Sequence, residues 1–222
     1  GGDVSKVVFA GVGKTRDEMR QAIDAGIFMF NIESLPEAET LSDVAKEAGR
    51  DVTVAVRINP DVAPDTHQYI TTGKKETKFG VPLDKAVDVF RAIGRMDRLI
   101  PVGIHCHIGS QITDSDPYRQ TLEKIAPLIA RLREEGFDIR YFNLGGGLGI
   151  IYKEESPQTA ARFAEIILPM VKPMNVELLV EPGRFVVGNA GVLLTRVLYI
   201  KESESKNFAI VDAGMNDLVR PT

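Results

Sequence analysis

Short apolar runs rich in β-branched residues alternate with longer amphipathic stretches along most of the chain. The runs lie at residues 7–10, 29–32, 52–58, 100–107, 139–144 and 177–181, and most are apolar almost throughout. A strand with one wet face would alternate apolar and polar positions. Near-continuous apolar runs instead predict strands buried on both faces of a parallel sheet. Helices are predicted between them. Thr15-Arg-Asp-Glu18 and Ser34-Leu-Pro-Glu37 have capping-box spacing, in which a hydroxyl satisfies one free amide and the glutamate bonds back. Pro82 suits the first turn of a helix running to about residue 93. Within 117–135, Leu122, Ile125, Leu128, Ile129 and Leu132 share one helical stripe, with Gly136 as its stop. Pro157 opens another helix towards residue 171. Repeated βα units of this kind predict a parallel α/β sheet, open or closed into a barrel.

After Gly183 the pattern changes. Residues 186–187, 191–200 and 207–211 read as strands with no helix between them, with a polar loop over 201–206. The expected organisation is an α/β domain over residues 1–185, followed by the start of an all-β domain over 186–222.

Composition narrows the class. The 222 residues suffice for one large domain or two small ones, and 44% apolar with 26% charged residues is an ordinary globular balance. A net charge of −4 without a long basic run argues against a dedicated nucleic-acid surface. No apolar run is long enough to cross a bilayer. A single cysteine, Cys106, rules out an internal disulfide and makes a reducing cytoplasm the expected compartment. Neither Gly1-Gly2-Asp3 nor Pro221-Thr222 reads as a natural terminus, so the chain is expected to be an internal part of a larger protein.

The chemistry gathers at predicted strand ends, where a parallel barrel carries its function. Asn31 and Glu33 close the second strand and Arg57 the third. His105-Cys-His-Ile-Gly-Ser110 closes the fourth, Gly145-Gly-Gly-Leu-Gly149 the fifth and Glu181-Pro-Gly-Arg184 the sixth. One polar strand end means little; five in succession point to one site. Gly145, Gly146 and Gly147 can bring bare amides close to an anion, or can simply form a tight turn that needs positive φ. Gly183 and Arg184 add a second amide-rich turn and a fixed cation, so a phosphate is the expected ligand. Glu181, at the inner end of an apolar strand, needs a partner: either Arg184 or another arginine, or the ring nitrogen of a pyridine cofactor. Period-two spacing puts His105 and His107 on one strand face. They read as a ring-stacking pair, as core histidines, or as zinc ligands. The last is the weakest, because no acidic or cysteine cluster completes a coordination shell, and no metal is expected.

Taken in order, the motifs Phe9-Ala-Gly-Val-Gly-Lys-Thr15, Val56-Arg-Ile-Asn-Pro60, Lys78-Phe-Gly80, His105-Cys-His-Ile-Gly-Ser-Gln111, Asn143-Leu-Gly-Gly-Gly-Leu-Gly149, Glu181-Pro-Gly-Arg184, Asp212-Ala-Gly-Met215 and Arg220-Pro221 make the chain resemble a known family. It is similar to the fold-type III, alanine-racemase-like decarboxylases that use pyridoxal 5'-phosphate. His-Ile-Gly-Ser-Gln followed by Gly-Gly-Gly-Leu-Gly favours the diaminopimelate branch over the ornithine and arginine branches. The resemblance implies a TIM-like (β/α)8 barrel, of which strands 3 to 8 are present here, leading into a truncated all-β C-terminal domain. It implies decarboxylation of meso-diaminopimelate to lysine, with a related ornithine or arginine decarboxylase or a non-catalytic cofactor-binding protein as alternatives. It also implies a cytoplasmic homodimer.

Carried over by position, the resemblance makes His107 the residue that stacks on the pyridine ring. Ser110 and the loop Gly145, Gly146 and Gly147 hold the phosphate. Glu181 meets the ring nitrogen, and Pro182, Gly183 and Arg184 line the phosphate and substrate side. Arg220 binds a substrate carboxylate, as Arg184 also does, while Arg57 and Lys78 support the site. The lysine that carries the cofactor and the proton-donating cysteine match no residue here. Lys14 falls in the wrong motif and Cys106 is not that cysteine. The chain alone is therefore expected neither to fold securely nor to catalyse.

Overall fold

The computed structural model describes residues 2–62 and 79–219. It divides into two compact units, Gly1–Phe185 and Val186–Thr222. In the first unit six strands lie side by side, all parallel and in chain order: β1 (Val8–Phe9), β2 (Met29–Ile32), β3 (Val52–Asn59), β5 (Leu99–His105), β6 (Tyr141–Asn143) and β7 (Glu177–Leu179). A two-residue strand, β4 (Val81–Pro82), pairs with the far end of β3. Among the described residues the helices α1 (Arg16–Ala25), α2 (Leu35–Ala48), α3 (Ala86–Ile93), α4 (Asp116–Glu134) and α5 (Ala160–Val171) run along this unit. The result is an α/β, TIM-like curled half-barrel sheet with its helices outside.

The local sequence explains most of the elements. Thr15 accepts from the Glu18 amide while the Glu18 carboxylate returns to the Thr15 amide, so α1 begins with a complete capping box. Gly26 and Gly49, at φ 71° and 65°, end α1 and α2 in the left-handed region, where a Cβ would be strained. The predicted stripe of α4 is buried in full, from Leu122 to Leu132. It joins Met19, Ile23, Leu41, Phe90, Ile93, Phe163 and Ile167 in a core between sheet and helices. The opposite face of the sheet buries Met29, Ala55 and Val102, with Val8, Phe28 and Tyr141 packed against them. Apolar residues thus cover both faces, as parallel strands require.

Several elements differ from expectation. Pro82 does not open a helix: it pairs with Asn59, a 3-10 turn follows over Leu83–Lys85, and α3 starts only at Ala86. Its φ suits either role, and the pairing with β3 decides. The helix after Pro157 starts three residues later, where the Thr159 hydroxyl accepts from the Arg162 amide and caps it. Residues 186–187 are not a strand. They end a short helix, α6 (Gly183–Val187), because the turn set by the Phe185 amide on the Pro182 carbonyl continues through them and no strand among the described residues pairs with them. The long run 191–200 becomes a strand only over β8 (Val197–Lys201), which pairs antiparallel with β9 (Phe208–Val211). In that second unit Asp212 accepts from the Thr195 hydroxyl and the Arg196 amide, both at 2.8 Å.

Candidate active site

The C-terminal strand ends of the first unit carry two buried polar clusters. One belongs to β1–β4. The Lys14 ammonium donates to the Gly11 carbonyl at 2.6 Å, to the Asn31 carbonyl at 2.7 Å and to Glu37 Oε1 at 2.5 Å. All three of its protons are used, and its side chain is only 1% exposed. Glu37 therefore does not complete a capping box with Ser34. Ser34 still accepts from the Glu37 amide, but the second carboxylate oxygen takes the Glu33 amide at 2.8 Å. The Glu33 side chain in turn accepts from Arg57 at 2.7 Å and from the Gly80 amide at 3.1 Å. Arg57 also lies 4.8 Å from the centre of the Phe79 ring.

The second cluster spans the ends of β5, β6 and β7. Gly145 and Gly147 have φ of 75° and 98°, so the tight-turn reading of the glycines holds. Close packing adds to it. A Cβ on Gly145 would run into the Cys106 carbonyl oxygen, one on Gly146 into that of Glu181, and one on Gly147 into that of Gly109. Two of the three amides are already used: Gly145 donates to Asn143 Oδ1 at 2.9 Å and Gly146 to His107 Nδ1 at 3.2 Å. Gly147 is the one of the three whose amide has no acceptor among the described residues.

The titratable groups of this cluster are set apart by their surroundings. Burial, and then the charge of Arg57, pull the His107 imidazole down to about 4, so it is neutral near pH 7. Its Nδ1 accepts from Gly146, which leaves the proton on Nε2. Burial alone would raise Glu181, but His105 and the Asn143 amide outweigh it and hold the carboxyl near 2. Asn143 donates to Glu181 Oε1 at 2.8 Å. His105 Nε2 stands 3.6 Å away, an electrostatic contact rather than a hydrogen bond. His105 is buried, and neither of its ring nitrogens has a hydrogen-bond partner among the described residues. Cys106 beside it is fully buried and its thiol is pushed up by that burial, so it is not a reactive group.

Arg184 does not pair with Glu181. It donates to Gln111 Oε1 at 3.4 Å and lies over the Tyr152 ring. Ser110 and Pro182 are half-buried beside the same strand ends, and a Cβ on Gly183 would meet open space. His67, Lys78 and Arg220 lie outside the described residues. Three further residues belong to the site. Tyr118 donates its hydroxyl to the Gly146 carbonyl at 3.0 Å and supports the loop from α4. Gln111, at φ 58°, holds both the amide and the carbonyl of Ile150. Asn143 joins the loop to Glu181. Tyr118 stands one turn before Leu122 on the apolar stripe of α4, a polar tip on a buried face, and that was a usable signal. Asn143 and Gln111 lie inside the motifs that carry the resemblance, but nothing in the local pattern says which atoms they would hold.

A half-barrel sheet with a glycine loop, a neutral imidazole and an ionised carboxylate at adjacent strand ends suits a cofactor with an anionic tail and a basic ring. The sequence matches the pyridoxal-dependent decarboxylase family, pyridoxal binding domain, over residues 1–188, and the chain belongs to that family. Among individual proteins it is similar to diaminopimelate decarboxylases. That of Pseudomonas aeruginosa is 50% identical over 100% of this chain and 53% of the relative, and that of Aquifex aeolicus is 46% identical over 98% and 52%. The crystal structure of diaminopimelate decarboxylase from Helicobacter pylori complexed with L-lysine superposes with a TM-score of 0.91 at 40% identity, covering 96% of this chain and 54% of that one. The chain spans about half the length of the curated relatives it matches.

The cofactor of this family is pyridoxal phosphate, and the residues present fit it. Glu181 keeps its second oxygen without a partner among the described residues, ionised and ready to meet a cationic ring nitrogen. A charged imidazole would repel such a ring; the neutral one of His107 does not.

Proposed function

We propose that this chain is the cofactor-binding part of an enzyme that decarboxylates meso-diaminopimelate to lysine. The observation that carries the reading is the pairing of an ionised Glu181 with a neutral His107 across one glycine loop. Residues 1–185 form part of the barrel that holds pyridoxal phosphate, and residues 186–222 begin a β domain. Bound pyridoxal phosphate supplies an electron-withdrawing ring that accepts the electron pair left when the substrate carboxylate departs as carbon dioxide.

The chain's own residues bind and orient. Glu181 holds a proton on the ring nitrogen, which keeps the ring cationic and electron-poor. His107 stacks on the ring through a face that carries no charge. The amides at Gly147 and Gly183 and the hydroxyl of Ser110 receive the phosphate, with Pro182 shaping the turn. Arg184, held by Gln111, lies on the phosphate and substrate side, and Arg220 takes a substrate carboxylate. Arg57 and Lys78 are supporting residues: Arg57, anchored by Glu33, biases His107 towards its neutral form. The substrate follows the relatives, which are named for diaminopimelate, and a lysine-bound structure at 40% identity. No described helix is long and apolar enough to cross a membrane. A homodimer is the proposed state of the complete enzyme, on the family resemblance alone, and a reducing cytoplasm is its proposed compartment, in keeping with the free, buried Cys106.

Borohydride reduction of the protein as its source produces it, followed by peptide mapping, tests cofactor attachment. A pyridoxyl-lysine on a peptide outside these 222 residues is expected. A label inside them would misplace the attachment site, and no label would favour a non-catalytic binding protein. Product analysis with meso-diaminopimelate, ornithine and arginine tests the substrate. Lysine should form, with turnover of the other two lower by orders of magnitude.

A further inference from the structure

Asn143 is the last residue of β6, and its backbone is level with His105 on one side and Leu179 on the other. It is buried to 1% exposure, and both ends of its side chain are engaged. The Gly145 amide can only donate, so the side-chain oxygen of Asn143 must face it, at 2.9 Å. The amino end is thereby turned towards Glu181 Oε1, at 2.8 Å. The orientation of this amide is fixed by its partners and not by convention. Its backbone carbonyl accepts from the Cys106 amide at 2.8 Å, which ties it to the segment bearing His105 and His107.

From this geometry we infer that Asn143 is the positioning residue that joins the two ends of the cofactor site, holding the glycine loop with its carbonyl oxygen and the Glu181 carboxylate with its amino group. The inference rests on reading Glu181 as the partner of the ring nitrogen. His107 also meets both, but only by a hydrogen bond from Gly146 and a through-space charge effect on Glu181; no other side chain among the described residues hydrogen-bonds both the loop and the carboxylate. Gln111 serves Ile150 and Arg184, Tyr118 serves the Gly146 carbonyl, and Arg57 serves Glu33. The groups facing Glu181 are His105 from β5, His107 just beyond it and Asn143 from β6. Of these only Asn143 makes a hydrogen bond of normal length to the carboxylate. The main chain also ties the two ends, since the Glu181 amide donates to the Gly145 carbonyl at 2.8 Å, and Tyr118 and His107 hold Gly146. What Asn143 adds is the link from the loop to the carboxylate itself: it takes Oε1 and leaves Oε2 without a partner among the described residues.

An isosteric change separates the two halves. Asn143→Asp keeps an acceptor for Gly145, loses the donor to Glu181 and places a like charge beside it. Asn143→Ala loses both. In the complete protein freed of cofactor, carbon-13 NMR follows the Glu181 carboxyl, assigned with Glu181→Gln, and amide exchange follows Gly145. Asn143→Asp should raise the Glu181 titration midpoint by about one pH unit or more, while the Gly145 amide exchanges as in the parent. Asn143→Ala should also speed Gly145 exchange by about tenfold or more. A midpoint within a few tenths of the parent in Asn143→Asp overturns the inference, as does unaltered Gly145 exchange in Asn143→Ala. Should the alanine variant not fold, the aspartate variant decides alone. A separate comparison of binding pyridoxal phosphate and its analogue with the ring nitrogen replaced by carbon tests the underlying reading. If Glu181→Gln keeps the parent's preference for the nitrogen ring, Glu181 is not its partner, whatever Asn143 does.

Discussion

At the scale of single residues, the site is built from groups whose alternatives are costly. Lys14 shows this most plainly. Its ammonium is buried, donates three hydrogen bonds and neutralises Glu37, so Lys14→Met leaves a buried carboxylate without its cation. Breaking a buried pair from one side costs about 3–5 kcal/mol, and urea unfolding should show a loss of that size. A loss under about 1 kcal/mol would mean the pair is solvated in solution. Gly146 is constrained differently, since a Cβ there meets the Glu181 carbonyl oxygen. Gly146→Ala must displace either the loop or the start of the Glu181 turn. Affinity for pyridoxal phosphate should fall at least tenfold, by fluorescence titration, with far-ultraviolet circular dichroism unchanged.

At the scale of elements, local signals held where chain neighbours supply every partner. Thr15 and Glu18 close a complete box on α1, and Thr15→Ala should cost about 0.5–2 kcal/mol by thermal unfolding. The second candidate box, at Ser34, has the same spacing and does not close, because Lys14 and the Glu33 amide claim the Glu37 carboxylate. Those competitors are 23 and 4 residues away, and spacing alone could not reveal them. The α4 stripe needed only its 3.6-residue period to be read correctly, since every member faces one core. Leu122→Ala should cost about 2–5 kcal/mol, measured by denaturant titration. Pro82 and residues 186–187 went the other way. Each was locally suited to two states, and whether a strand lay alongside settled which formed.

For the whole molecule, His107 and Glu181 together make stability fall as the solution turns acid. His107 titrates near 4 in the folded state against an ordinary 6.5, so the unfolded chain binds a proton that the folded chain refuses between those values. Stability therefore falls as pH drops through that window, by on the order of 3 kcal/mol at most. Glu181, held near 2 against an ordinary 4.5, continues the loss below pH 4.5, where the unfolded carboxylate protonates first. Chemical denaturation of the cofactor-free protein should show the slope between pH 6.5 and 4, and His107→Phe should flatten it. A flat profile in the parent would mean that His107 is solvated in solution.

The chain by itself determined the alternation of strand and helix, the caps of α1, the buried stripe of α4 and the crowding of polar residues at strand ends. Each depends on residues within a few positions of one another, where periodicity and spacing act directly. The glycine run was legible as a special turn. That it excludes any Cβ because three backbone carbonyls press on it from Cys106, Gly109 and Glu181 was not. The pairing of Arg57 with Glu33, the use of all three Lys14 protons, the turning of Arg184 away from Glu181 and the bridge made by Asn143 were decided only by the tertiary structure. Hydrogen bonds between strand ends join residues dozens of positions apart, and burial removes the water that would otherwise satisfy them. Which buried donor meets which acceptor is therefore a property of how the sheet brings its strand ends together, and no local pattern encodes it.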